Sequence, residues 1–209
     1  MRRLTTLFPS EFLEEHAEEL GVVERDSKLQ VPALVWAFVF GFAAGESRTL
    51  AAFRRSYNST ADKTLTAGGF YQRLTLLLAE FFRDLVERRI DEVAVPHTVS
   101  DEFDRFRNIV VADGTILRLH EFLPCDLATI YRCRWEVELL FRELKTRYEL
   151  DEFDTTKKHI VKILVYAALL TLITSRTLLD LVTEYAEDDA VFPPERWAAT
   201  FRSHAQLIL

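Results

Sequence analysis

"VPALVWAFVFGFAAG", residues Val31 to Gly45, is the stretch whose reading decides the fold. It has no charged residue, so it is either a membrane span or a helix buried in a protein core. A span needs roughly 18 to 20 consecutive apolar residues, and this run is shorter. Pro32 near its start and Gly45 at its end fit a capped helix. We read it as a core helix. A second apolar run, "ILVYAALLTLIT" from Ile163 to Thr174, is also short of a span and is bracketed by Lys157, Lys158, Lys162 and Arg176. It is the second expected core helix.

The neighbouring sequence is organised around these two runs. "PSEFLEEHAEELG" predicts a helix with Ser10 as N-cap, acids in its first turns and Gly21 closing it. "ESRTLAAFRRSYN" predicts another, capped by Ser47 and ending near Asn58. After a polar turn, "TAGGFYQRLTLLLAEFFRDLVERR" has the periodicity of one long amphipathic helix running to about Arg89. Residues 1–95 therefore form a helical N-terminal region. A linker around Pro96 leads to "RNIVVADGTILRLHEF", where Ile109 to Ala112 and Ile116 to Leu119 read as two strand pieces around Asp-Gly-Thr. From Asp126 onward the pattern is helical again.

Composition narrows the functional classes. An apolar fraction of 49% with 16 Phe in 209 residues is that of a folded chain with a substantial core. The two cysteines, Cys125 and Cys133, lack metal-ligand spacing and read as reduced thiols. With no secretory signal and no span, a cytoplasmic protein is expected. The net charge of −7, from 33 acidic and 26 basic residues, argues against a globally basic nucleic-acid binder and leaves local patches open. Only six of the basic residues are Lys, and an acidic, Arg-rich chain of this kind suggests a high-salt cytoplasm.

Candidate chemistry lies in "YRCRWEVELLFRELKTRYELDEF", Tyr131 to Phe153. On a helix, Ile130, Cys133, Val137, Leu140, Phe141, Leu144 and Tyr148 share one apolar arc. Tyr131, Arg134, Glu138 and Lys145 fall on a line at its edge, which holds a partly desolvated carboxylate between two cations. That placement suits a metal ligand beside phosphate-binding groups. On spacing alone, an ordinary i,i+4 ion pair between Arg134 and Glu138, worth about a few tenths of a kcal/mol, explains the line more simply. Asp113 ends the apolar run Ile109 to Ala112 and is either a metal ligand on a rigid strand or a turn residue before Gly114. The Asp-Gly-Thr also suggests a haloacid-dehalogenase phosphatase, but the nucleophile position of that motif is Val111 here.

The spacing Y-x-x-R-x-x-x-E followed by Lys seven residues on, met by Tyr131, Arg134, Glu138 and Lys145, resembles the signature of the DDE transposases of insertion sequence family four. "DLATIYRCRWEVELLFRELKTRYELDEFDT" looks like the haloarchaeal members throughout its length. "IVVADGTILRLHEF" resembles the segment that carries their first catalytic Asp, and the N-terminal helices and the tail "FPPERWAATFRSHAQLIL" are similar too. The resemblance implies metal-dependent cleavage and strand transfer of DNA, with two Mg²⁺ or Mn²⁺ ions held by two Asp and one Glu on a ribonuclease-H-like fold. It assigns Asp113 and Glu138 as metal ligands, Arg134 and Lys145 to phosphate, and Tyr131 to positioning the strand. The implied partners are transposon terminal repeats, a second copy of the chain or a full-length transposase.

The family pattern is incomplete. Only 24 residues lie between Asp113 and Glu138, too few for the remaining strands and the second Asp. Asp126 matches a helix-start position and does not replace the missing ligand. The sequence reads as a copy with an internal deletion near "HEFLP" and an early C-terminal end, unable to transpose by itself. The expected fold is mainly α with a small β remnant: a helical region over 1–95 and an incomplete ribonuclease-H-like core with C-terminal helices over 96–209. In the first region, "SRTLAAFRRSYN", a turn and "AGGFYQRL" resemble a helix-turn-helix. Arg54, Arg55, Lys63, Gln72 and Arg73 are its candidate DNA contacts, the alternative being a helical bundle with a solvated Arg face.

Overall fold

The computed structural model describes residues 7–23, 29–44, 49–93, 142, 145–146, 155–185 and 194–208. Among them run seven helices: α1 Ser10–Glu19, α2 Val31–Ala44, α3 Leu50–Thr60, α4 Ala67–Arg73, α5 Leu76–Val93, α6 Lys158–Tyr185 and α7 Pro194–Ile208. Eleven of the fourteen residues of α2 are buried, as an all-apolar helix demands. It packs against α1, α3, α6 and α7.

Phe38, fully buried on α2, shows how the other helices find their places. Its ring stacks on Phe53 of α3 at 4.7 Å and on Phe70 of α4 at 6.2 Å, and meets Phe82 of α5 edge-on at 5.5 Å. One side chain thus fixes three helices, with about 0.5–1.5 kcal/mol of geometric preference per ring pair beyond area burial. On α5 the buried residues Leu78, Phe81, Phe82, Leu85 and Val86 follow the helical repeat, so one stripe faces inward while Arg83 and Glu87 stay exposed. The Arg83 guanidinium is hydrogen-bonded to Asp84 at 3.0 Å, which holds it above its ordinary pKa.

Both ends of the chain build the same core. Ile160, Ile163, Leu164, Ala167, Ala168, Leu170 and Leu172 of α6 lie in one cluster with residues of α1 to α5. The buried Thr171 hydroxyl is 3.0 Å from the Val39 carbonyl of α2 and 2.8 Å from the Ala167 carbonyl of its own helix. Phe201 and Ala205 of α7 close a second cluster with Phe40, Ala43 and Ala44. There the Trp197 indole N–H is within reach of the Ser175 carbonyl at 3.0 Å and of its hydroxyl at 3.1 Å. By length and composition α6 could also cross a membrane, and 56% of its most apolar window is buried inside the bundle.

These observations correct the expected fold class. Among the described residues there is no strand; every regular element is an α-helix. In place of the expected small β remnant and incomplete ribonuclease-H-like core, the described residues form an all-helical bundle. The physical reason is visible in α6: its apolar face is covered by α2 and α5, so no sheet is required to bury it. The expected strand pieces, Ile109 to Ala112 and Ile116 to Leu119, lie outside the described residues.

Local signals also shifted. Gly21 does close α1, at φ 70°, with the Gly21 N–H on the Glu18 carbonyl and the Val22 N–H on the Ala17 carbonyl. Ser10 is not the cap of α1; it lies in the first turn after Pro9, and no side-chain cap bond forms. Thr49 caps α3, its hydroxyl accepting from the Ala52 N–H at 3.3 Å, while Ser47 lies outside the described residues. The single long helix expected from Thr66 to Arg89 breaks at Leu74 and Thr75, because the Thr75 hydroxyl accepts from the Leu78 N–H and starts α5 afresh.

Candidate nucleic-acid interface

The break at Thr75 isolates α3, a six-residue turn and α4 as a helix-turn-helix unit resting on α2. Asn58, near the end of α3, pairs with the turn as one strand would with another. Its amide donates to the Leu65 carbonyl at 3.1 Å, and its carbonyl accepts from the Leu65 N–H at 2.8 Å. Thr66 then caps α4, accepting from the Gly69 N–H at 3.1 Å. Phe70 anchors α4 from beneath, between Phe38 and Tyr57. On the side away from the core, Ala67, Gly68, Tyr71 and Gln72 are exposed, and no atom would meet a Cβ at Gly68 within 4 Å.

A second clasp fixes the turn against the entry to α2. The Gln30 side-chain amide donates to Asp62 at 2.8 Å and its carbonyl accepts from the Asp62 N–H at 2.8 Å. The Tyr57 hydroxyl accepts from the Gln30 N–H at 3.1 Å. With both ends of the turn tied, α4 is presented on a fixed support.

The five N-terminal candidates divide by environment. Arg55, Lys63 and Gln72 are exposed, and Arg73 is half-buried at the end of α4. Arg54 is turned toward the protein: its Nη1 donates to the Leu65 carbonyl at 3.3 Å, and its Nε is buried. Of the other candidates, Lys145 is exposed on a helical segment in which the Thr146 hydroxyl donates to the Arg142 carbonyl at 2.7 Å. Asp113, Tyr131, Arg134 and Glu138 lie outside the described residues.

Among the described residues no three His, Cys, Asp or Glu side chains come together as a metal site. Asp113 and Glu138, which the resemblance implies as ligands of Mg²⁺ or Mn²⁺, are not among them. What the described surface offers is exposed Arg55, Lys63 and Gln72, with half-buried Arg73, on and around the short helix α4. Two contributors were not singled out from sequence. Tyr71 is 41% exposed on α4, and the Lys157 ammonium lies 4.8 Å from the centre of its ring. The signal for Lys157 was its membership in a group holding three of the six lysines, read only as the flank of an apolar run.

In comparison with known families, the family described as "Transposase DDE domain" matches residues 116–174. A transposase DDE domain fragment is therefore present over that part, under a third of the chain. The matched range includes Tyr131, Arg134, Glu138 and Lys145, begins just after Asp113, and ends inside α6. No curated protein and no solved structure matches the chain.

Proposed function

We propose that this chain is a transposase-derived protein that binds the terminal repeats of its element and does not cleave them by itself. The transposase domain match over 116–174 carries this reading, because its last part, Ile160 to Thr174, is core helix against which α2 and α5 pack. Ile160 to Thr174 and the helix-turn-helix of the N-terminal half thereby share one core. The finer assignment to insertion sequence family four rests on the spacing of Tyr131, Arg134, Glu138 and Lys145. In this reading α4 presents Gln72 to DNA, with Arg55, Lys63 and Arg73 beside it for the phosphates.

Loss of cleavage follows from the sequence between the two carboxylates. In-line displacement at a phosphodiester needs both metal ions held in register, and with Asp113 and Glu138 alone one carboxylate is missing. The 24 residues between them leave no room for the segment that would supply it. Two measurements test the proposal. Gel-shift titration against the element's terminal repeats should show preference over random duplex, and equal affinity for both would refute end recognition. Purified protein with Mg²⁺ or Mn²⁺ should leave a supercoiled plasmid intact, whereas strong nicking abolished by Glu138→Gln would refute the loss of cleavage.

A further inference from the structure

The exposed face of α4 does not end at Arg73. Lys157 reaches it from the far end of the sequence and places its ammonium over Tyr71, a contact between residues 86 positions apart that sets a cation at the edge of α4. Lys158 and Lys162 follow on the exposed side of α6, and none of the three pairs with a carboxylate among the described residues. Half of the lysines in the whole chain are thus gathered within six residues, the first of them in contact with α4 at Tyr71.

Acidic residues are withheld from the two segments that meet there. No Asp or Glu occurs from Lys63 to Ala79, nor from Thr155 to Leu179, although the chain carries 33 of them. The acidic run Glu149 to Asp154 stops immediately before the second segment. Burial explains the absence inside α6 but not at the exposed positions Thr156, Lys157, Lys158 and Lys162. The arrangement also goes against the helix that carries it. The start of a helix favours Asp and Glu by about 0.3–1 kcal/mol each, and the first turn of α6 has none. An acidic protein that places cations where local stability favours anions is arranged for an anion from outside.

We infer that Lys157, Lys158 and Lys162, with Tyr71 and Arg73, form a docking surface for the phosphate backbone of duplex DNA, continuous with the exposed face of α4. This rests on the reading of the chain as a DNA-binding protein and adds a second contact region, from outside the helix-turn-helix. In this arrangement α4 supplies the base-edge groups, and the start of α6 clamps the phosphates alongside. The Tyr71 ring holds the Lys157 ammonium in place, so that less side-chain freedom is lost on binding.

The experiment is fluorescence anisotropy of a labelled random duplex across a NaCl series. Each phosphate contact contributes about 0.9 to the slope of log K against log salt. The triple variant K157Q/K158Q/K162Q should lower the wild-type slope by about 2 to 3 while the melting temperature is unchanged, and K157R/K158R/K162R should restore it. Tyr71→Ala should lower it by about 1, and Tyr71→Phe should not. A wild-type slope retained in the triple glutamine variant, with terminal-repeat binding intact, overturns this surface and leaves the proposed function standing. Failure of the wild type to bind any duplex overturns both. Loss of binding to phosphatidylserine vesicles in the triple glutamine variant, with no change of slope on duplex, overturns the choice of DNA as partner.

Discussion

Gly41→Ala is the substitution whose outcome the packing of α2 fixes most tightly. A Cβ at Gly41 would lie 2.9 Å from both Cδ1 and Cε1 of Phe53, where an ordinary carbon contact needs about 3.5–4.0 Å. The Phe53 ring would have to retreat by more than half an ångström. It has nowhere to go: Phe53 is 2% exposed and held between Phe38 at 4.7 Å and Phe42 at 5.1 Å. Overpacking of this kind costs about 1–3 kcal/mol. Against it stands the gain of about 0.8–1.0 kcal/mol from replacing Gly with Ala inside a helix. The expected result is a net destabilisation of about 1 kcal/mol, read as a lower urea midpoint with unchanged slope. In a Phe53→Leu background the clash disappears, so there Gly41→Ala should stabilise by up to about 1 kcal/mol. A stabilising effect in the wild-type background, or the same effect in both, would refute the claim that α2 and α3 meet through the missing side chain of Gly41.

Three further outcomes follow from the polar contacts between helices. Thr171→Val keeps the shape of the side chain and removes the hydroxyl from Val39 and Ala167, and should lower unfolding free energy by about 1 kcal/mol, with Thr171→Ser nearer wild type. Asn58→Ala frees the Leu65 N–H and leaves its carbonyl to Arg54 alone, so calorimetry should show a loss of about 1–2 kcal/mol, and hydrogen exchange should speed up in the α3–α4 turn before the rest of the bundle. Trp197→Phe preserves a ring over Phe201 and removes the N–H bonds to Ser175; α7 should become the first site of limited proteolysis, at a global cost below about 2 kcal/mol.

The sequence announced its most hydrophobic element without ambiguity, because Val31 to Ala44 is apolar on every face and such a helix has no choice but burial. Gly21 was legible for a similar reason: few residues but glycine adopt a positive φ without strain. The break at Leu74 and Thr75 was not legible. "GFYQRLTLLLAEFF" has helical periodicity throughout, and only the competition of the Thr75 hydroxyl for the Leu78 N–H, with Leu74 drawn into the core, divides it. The same limit affected the fold class. Apolar stripes show that a surface is buried, but those of α6 carry no mark of whether a sheet or another helix covers them.

The candidate site was legible in part. Exposure of Arg55 and Gln72 follows from local sequence, which sets helix faces, and Lys63 is exposed in the turn between their helices. Arg54 was drawn from the same helix, and its half-buried position depends on where Leu65 returns, which periodicity along α3 does not encode. The contact of Lys157 with Tyr71 depends on tertiary packing across two halves of the chain, so no motif could have carried it.

The bond from Thr171 to Val39 spans 132 residues, and that separation has a consequence for synthesis. At a ribosomal pace of about 5–20 residues per second, α2 emerges roughly 7 to 26 s before the part of α6 that covers it. During that interval a wholly apolar helix has only α1, α3, α4 and α5 for shelter, and its flank toward α6 is open to other chains. The nascent N-terminal half is thus a natural client for chaperones that bind exposed aliphatic and aromatic surface, and its yield should depend on how fast the second half is translated.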